Sequence, residues 1–229
     1  MKDILLIFFF SLTICLQRIE PELLVNLLNN EKIYAIDTRD MNIADKGYIP
    51  KSIIAPISFF ESWLTKIVSQ NSPIIIITDK NNKPQAIQEM KRVGYLSIYG
   101  YIYYEDWINS EYEINNITYD NITIENIDNI KKANEIILDV REENEYKETG
   151  IIKDSRLVSL STFSTQISKV EKTKPVHILC KSGKRAVIAL SYLEKFGFKN
   201  VLHVMDGGMD KVIKVGYPLE KYKNWKILE

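Results

Sequence analysis

Cys180 is followed within five residues by Lys181, Lys184 and Arg185, with Ser182 and Gly183 between them. The run before it, Val176 to Leu179, is short, mostly apolar and set off by Pro175, which predicts a buried strand. The run after it, from Ala186, places Ala, Ile, Leu, Tyr and Phe at helical spacing and stops at Gly197, which predicts a helix. The cysteine therefore stands at a strand end, ahead of a tight loop and a helix start. Unpaired amides at a helix N-terminus favour an anion, and the neighbouring cations strengthen that field. Both effects favour the thiolate, the form that attacks. A free cysteine is more often a small buried hydrophobe. One surrounded by cations and a glycine is poor core material, so Cys180 reads as a nucleophile.

Other chemistry-bearing residues are few. Cys15 and Cys180 are the only cysteines, which excludes a disulfide framework and a cysteine-based metal site. His177 and His203, the only histidines, each lie in a strand-like apolar run. They read as packed strand residues, because metal or triad roles need partners that the spacing does not supply. No glycine-rich phosphate loop and no metal-spaced ligand cluster is present, so no metal, nucleotide or other cofactor is expected. Thirty basic residues balance thirty acidic ones, so no charge excess calls for nucleic acid. The cations beside Cys180 are a local feature.

The elements that hold this loop occur twice. At a period of about 102 residues, Ile36-Asp37-Thr38-Arg39 matches Leu138-Asp139-Val140-Arg141, and the segment from Lys46 matches that from Thr149. Pro73 with Ile74 to Ile77 matches Pro175 with Val176 to Leu179, and Gly94-Tyr95 matches Gly197-Phe198. Strands alternating with helices in each half predict an α/β fold, two tandem domains each with a small, mainly parallel sheet flanked by helices. The expected boundaries are 16–112 for the first domain, 113–124 for an Asn- and Ile-rich linker with room for a strand, and 125–229 for the second. Ahead of these, Ile4 to Leu16 is almost wholly apolar after Lys2, too short to span a bilayer but suited to a secretory signal at residues 1–15. That predicts export to a periplasm or the exterior without a stable membrane span. A cytoplasmic protein with a buried N-terminal helix and a lipid anchor at Cys15 are the alternatives.

These landmarks resemble the rhodanese family, over nearly the whole chain after the first segment. The second half carries Asp139-Val140-Arg141-Glu142, Glu145-Tyr146, the loop from Cys180 to Arg185, Asp206-Gly207-Gly208 and a closing Gly216-Tyr217-Pro218-Leu219. The resemblance implies two rhodanese-like domains, an active second one and an inactive first one, because Thr78 occupies the position of Cys180 and Asp79 follows it. It departs from the family where Ile151 and Tyr48 replace a histidine and Lys153 a proline.

The resemblance further implies a sulfurtransferase, thiosulfate or a similar small molecule being the sulfur donor and cyanide, a thiol or a protein the acceptor. Cys180 would carry the sulfur as a persulfide. Lys181, Ser182, Gly183, Lys184 and Arg185 would bind the anionic substrate, the loop amides cradling charge and Gly183 permitting the turn. Asp139 and Arg141 recur as Asp37 and Arg39 in the half without a cysteine, which points to structural support. Asp206 and Gly207 are expected in a supporting turn near the site. Tyr99 to Tyr104 could line a cleft between the domains, core packing being the alternative. A cysteine phosphatase or arsenate reductase needs Cys-x5-Arg, and here Arg185 falls one position short. A sulfur carrier or partner-binding module without turnover remains the alternative of another class.

Overall fold

Ile74–Thr78 and Val176–Leu179 are buried along their whole length. Continuous burial of this kind requires cover on both faces of a parallel sheet. The computed structural model describes residues 16–44, 46–198 and 202–223; the expected signal segment, with Cys15, lies outside them. The strands are β1 (Tyr34–Asp37), β2 (Ile53–Ile54), β3 (Ile74–Thr78), β4 (Ile98–Tyr103), β5 (Thr118–Asp120), β6 (Ile136–Asp139), β7 (Arg156–Leu157), β8 (Val176–Leu179) and β9 (Leu202–Met205). They form two sheets, β2-β1-β3-β4 and β5-β9-β8-β6-β7, with every pairing parallel. The fold is α/β with two parallel sheets flanked by helices.

The principal helices are α1 (Pro21–Leu28), α2 (Lys83–Arg92), α3 (Ile124–Lys132), α4 (Glu143–Thr149), α5 (Lys184–Lys195) and α6 (Gly208–Lys214). Their starts follow from local chemistry. Proline opens α1 and α2, where its missing N–H removes a donor that has no partner anyway. Thr123 caps α3 by accepting from the Asn126 amide. Glu142 and Glu145 form a capping box at α4.

One edge of each sheet is closed by a segment that precedes its first helix. The expected linker contributes β5, which pairs with β9 at the edge of the second sheet. Its counterpart in the first sheet is the segment around Arg18, which bridges Tyr101 in parallel, with Ile19 donating to the Tyr101 carbonyl at 2.7 Å. Gly100 is required there, since a Cβ would stand 2.6 Å from the Gln17 carbonyl.

The halves share one core. Ile53, Ile54, Phe60 and Leu64 belong to the same buried cluster as Leu160, Phe163, Leu190 and Leu193. Helix α5 is buried almost along its length because it lies between the second sheet and β2. The seam is also polar. Ser191 Oγ accepts from the Ile54 amide at 3.0 Å, and Glu194 accepts from Tyr48 Oη at 2.6 Å and from Asn115. Among the described residues no helix is long and apolar enough to cross a membrane.

Candidate active site

β8 delivers Cys180 to the C-terminal edge of the second sheet, and α5 begins at Lys184. Between them the chain turns through Gly183 at φ +93°, a conformation that disfavours any side chain. The turn aims the Gly183 amide at Cys180 Sγ, 3.1 Å away. A backbone N–H held on the sulfur stabilises negative charge there, as would the helix start behind it. Cys180 is 1% exposed and Gly183 is buried, while Lys181, Ser182 and Lys184 are exposed. The sulfur is therefore recessed under a cationic rim.

The outer wall of the loop is fixed by the chain after β9. Met209 N donates to the Cys180 carbonyl at 2.8 Å and Asp210 N to the Lys181 carbonyl at 3.0 Å. The first amides of α6, which would otherwise lack partners, thereby pin the loop. Gly208, at φ +58°, is necessary for this approach, because a Cβ would stand 2.4 Å from the Cys180 carbonyl oxygen. Gly207 supplies the preceding left-handed turn at φ +78°. Asp206 lies outside the site, its carboxylate largely exposed and 3.5 Å from Lys211.

Arg185 differs from the expectation for it. Its guanidinium is buried and makes two hydrogen bonds of 2.6 Å to the Glu145 carboxylate. A buried cation must be paired, and Glu145 meets that need from α4. Burial works against the charge, yet the Glu145 bonds and the nearby sulfur hold the Arg185 pKa above its ordinary value. The Glu145 carboxyl is likewise held below its usual range, burial being outweighed by Arg185 and the Glu142 amide. Arg185 thus braces α5 against α4, and the cations open to an incoming anion are Lys181 and Lys184.

Trp63, from the first half, completes the surroundings. Its ring centroid lies 5.0 Å from the Arg185 guanidinium carbon, within cation–π range, with Lys66 on the same ring at 4.6 Å. Tyr99 to Tyr104 do not play this part. Tyr101 meets Lys83, Tyr103 meets Arg18 and Tyr104 stacks on Arg39, all within the first half. A cavity between the halves is lined by Tyr48, Lys51, Asn115, Glu194 and Lys195, without Cys180.

Asp139 and Arg141 are fully buried and paired at 2.7 Å, and Arg141 also donates to Thr149 Oγ1 and the Gly150 carbonyl. Asp37 and Arg39 repeat this at 2.6 Å, with Arg39 donating to the Gly47 carbonyl. Each pair ties a strand end to the loop leading to the next strand. Among the described residues, neither pair is hydrogen-bonded to the cysteine loop.

Sequence comparison bears on this loop directly. Residues 124–214 match the rhodanese-like domain. The match spans β6, Cys180 and α6, so the recessed sulfur lies within the matched residues. Over 81 residues the chain is 35% identical to the tRNA uridine(34) hydroxylase of Pelagibacter ubique, covering 34% of this chain and 27% of that protein. Over 77 residues it is 31% identical to the putative sulfur carrier protein YrkF of Bacillus subtilis, covering 32% and 40%. The chain thus spans less than half the length of these curated relatives. Among solved structures, the thiosulfate sulfurtransferase of Pseudomonas aeruginosa aligns with 17% identity and TM-score 0.40, over 90% of this chain and 43% of that one. A rhodanese-related protein of Thermoplasma volcanium aligns with 27% identity and TM-score 0.40, over 45% of this chain and all of that one.

Sequence reasoning missed Trp63, which carries no motif. It also missed the partners of the histidines. His177 Nδ1 lies 2.5 Å from Asp120 Oδ2, His177 Nε2 is 2.7 Å from Glu135 Oε2, and His203 Nδ1 is 2.6 Å from Asp120 Oδ1. The reading of both rings as plain strand packing is therefore corrected: each meets a carboxylate from a distant part of the chain.

Proposed function

We propose that the chain is a sulfurtransferase that moves a sulfane sulfur through a persulfide on Cys180. The observation that carries the reading is the Gly183 amide directed at Cys180 Sγ, at the start of a helix within a rhodanese-like domain. In the first step the Cys180 thiolate attacks the outer sulfur of thiosulfate. Its electron pair forms the new S–S bond, and the S–S bond of thiosulfate breaks with its pair leaving on sulfite. The charges balance, since one thiolate and one dianion give one persulfide anion and one dianion. In the second step cyanide or a thiolate attacks the terminal sulfur and restores the Cys180 thiolate. Lys181 and Lys184 draw the anionic donor to the recess, and the Gly183 amide holds negative charge on sulfur.

In this reading the first half is not catalytic. Thr78 has no sulfur to load, and the half serves through Trp63, which backs Arg185. The apolar segment at residues 1–15 supports export of the protein, with the reaction taking place outside the cytoplasm.

A second reading, a sulfur carrier that loads once and hands sulfur to a protein, is favoured by the likeness to YrkF. Two measurements separate the readings. Incubation with thiosulfate adds about 32 Da, one sulfur, to the intact protein and none to Cys180→Ser. Continuous thiocyanate formation from thiosulfate and cyanide marks the enzyme, and a single stoichiometric loading marks the carrier. Absence of the mass shift in the wild-type protein rejects both.

A further inference from the structure

The residues that the sulfur chemistry leaves unused converge at a second place. His177 on β8 and His203 on β9 are register partners in adjacent parallel strands, so their rings project from the same face, with centroids 5.2 Å apart. Asp120 ends β5, next to β9, and its two carboxylate oxygens point one at each ring. One donor atom from each of the three residues lies within 4.8 Å of the others. We propose that Asp120, His177 and His203 bind one divalent transition-metal ion, zinc being the ion that best fits the donors.

The fit rests on donor type, spacing and orientation. Imidazole nitrogen with carboxylate oxygen suits zinc and its neighbours, whereas magnesium and calcium favour oxygen alone. Zinc sits about 2.0–2.2 Å from such donors, so they stand within about 4 Å of each other around it. Admitting the ion would replace the two short contacts between Asp120 and the histidine rings by bonds to the metal.

Glu135 supplies an independent reason. Its Oε2 lies 2.7 Å from His177 Nε2. With an ion bound, the Glu135 carboxylate would hold the ring proton on Nε2 and leave the Nδ1 lone pair, which faces Asp120, for the metal. Metal-bound histidines are usually oriented in this way. The His177 side chain is 7% exposed while those of Asp120 and His203 are 13% and 22%, so the site is walled on one side and open on the other, with room for solvent as a fourth ligand.

This site is separate from the sulfur. His177 precedes Cys180 by three residues, and its ring lies on the other face of the sheet from Ile178 and Cys180, which share the core between the halves. A bound ion would fasten β5 to β8 and β9, and so hold the connecting segment between the halves on the second sheet.

The test uses the full chain carrying Cys180→Ser, which removes thiolate binding at the loop, stripped with chelator and titrated with Co²⁺ and Zn²⁺. The expected result is one ion per chain by calorimetry, visible d–d absorption for Co²⁺ without a thiolate charge-transfer band, and a rise in Tm of several degrees with Zn²⁺. Asp120→Asn and His203→Asn should each weaken binding at least tenfold, and Glu135→Gln about tenfold. Near-ultraviolet circular dichroism reports whether each variant is folded; the part-exposed Asp120 and His203 serve as two independent tests, and the folded one decides. No binding up to about 1 mM overturns the proposal, as does unchanged affinity in the folded variants, which would mark an adventitious ion only. A thiolate band would assign the ion to Cys15 and also overturn it.

Discussion

The loop after β3 and the loop after β8 each follow a fully buried strand in one of the two parallel sheets, and they meet their backbone amides in different ways. In the first, Asp79 Oδ1 accepts from the amides of Asn81 and Asn82 at 2.9 and 2.8 Å, and its Oδ2 accepts from the Asn82 side chain. The loop amides just ahead of the helix are thus met by the chain's own carboxylate. Thr78 lies buried behind it, its hydroxyl without a hydrogen-bond partner. In the second, Lys181 stands where Asp79 does, and the amide of Gly183 is turned onto Cys180 Sγ. One loop meets its amides with a carboxylate of the chain, and the other turns its amide onto the sulfur.

The comparison can be broken most severely at the cysteine. Cys180→Ser is expected to reduce thiocyanate formation to background, with stability nearly unchanged. Thr78→Cys in the other loop is expected to gain no sulfur adduct by intact-mass measurement, because Asp79 already holds the amides. An adduct on Cys introduced there would show that the fold alone activates a thiol.

The buried pairs should behave alike in both halves. Removing one partner of a buried ion pair costs about 3–5 kcal/mol. Arg39→Met and Arg141→Met are therefore expected to shift the denaturant midpoint by similar amounts, with m unchanged. Unequal shifts would show that the two pairs do not brace their sheets equally.

Gly208→Ala sharpens the comparison at the wall of the active loop. Its Cβ cannot stand 2.4 Å from the Cys180 carbonyl, so the loop must move. Strain of this kind costs about 1–3 kcal/mol, and the sulfur-loading rate should fall with it. A variant that keeps full stability but loses loading would separate geometry from folding.

The smallest effect lies on the seam. Lys195, buried with its ammonium 2.6 Å from the Ile33 carbonyl, is pushed down to about 8 by burial, whereas Arg92, near the same point of α2, is exposed in pairs with Glu61 and Glu89. Below pH 8 Lys195 is charged in the native and unfolded states, and the burial penalty is present in full. Above it the native state releases a proton that the unfolded chain keeps to about 10.4, so stability should rise with pH across that window. In Lys195→Met this rise should be absent when chemical denaturation of the two proteins is compared from pH 7 to about 10.

The parts legible in the sequence were local ones. Cys180 between an apolar run and a helical one, the Asp-x-Arg pairs and the alternation of strands and helices each lie within a few neighbouring residues, and backbone periodicity places them. Side-chain partners from distant segments were not legible. Arg185 looked like a free cation because Glu145 is 40 residues away, and His177 looked like packing because Asp120 is 57 residues away. Trp63 sits on a short run of π-helix, Phe60–Leu64, whose pitch no simple periodicity announces.

The edge strand β5 has a consequence for where the second half begins. The chain from residue 125 onward contains Cys180 and every strand of its sheet but this one. A fragment cut there would leave β9 with a bare row of peptide groups, an invitation to pair with another molecule. Its histidines would also lose Asp120. A fragment starting a few residues before Thr118 would keep the edge closed, so the working unit overlaps the stretch that reads as a connector.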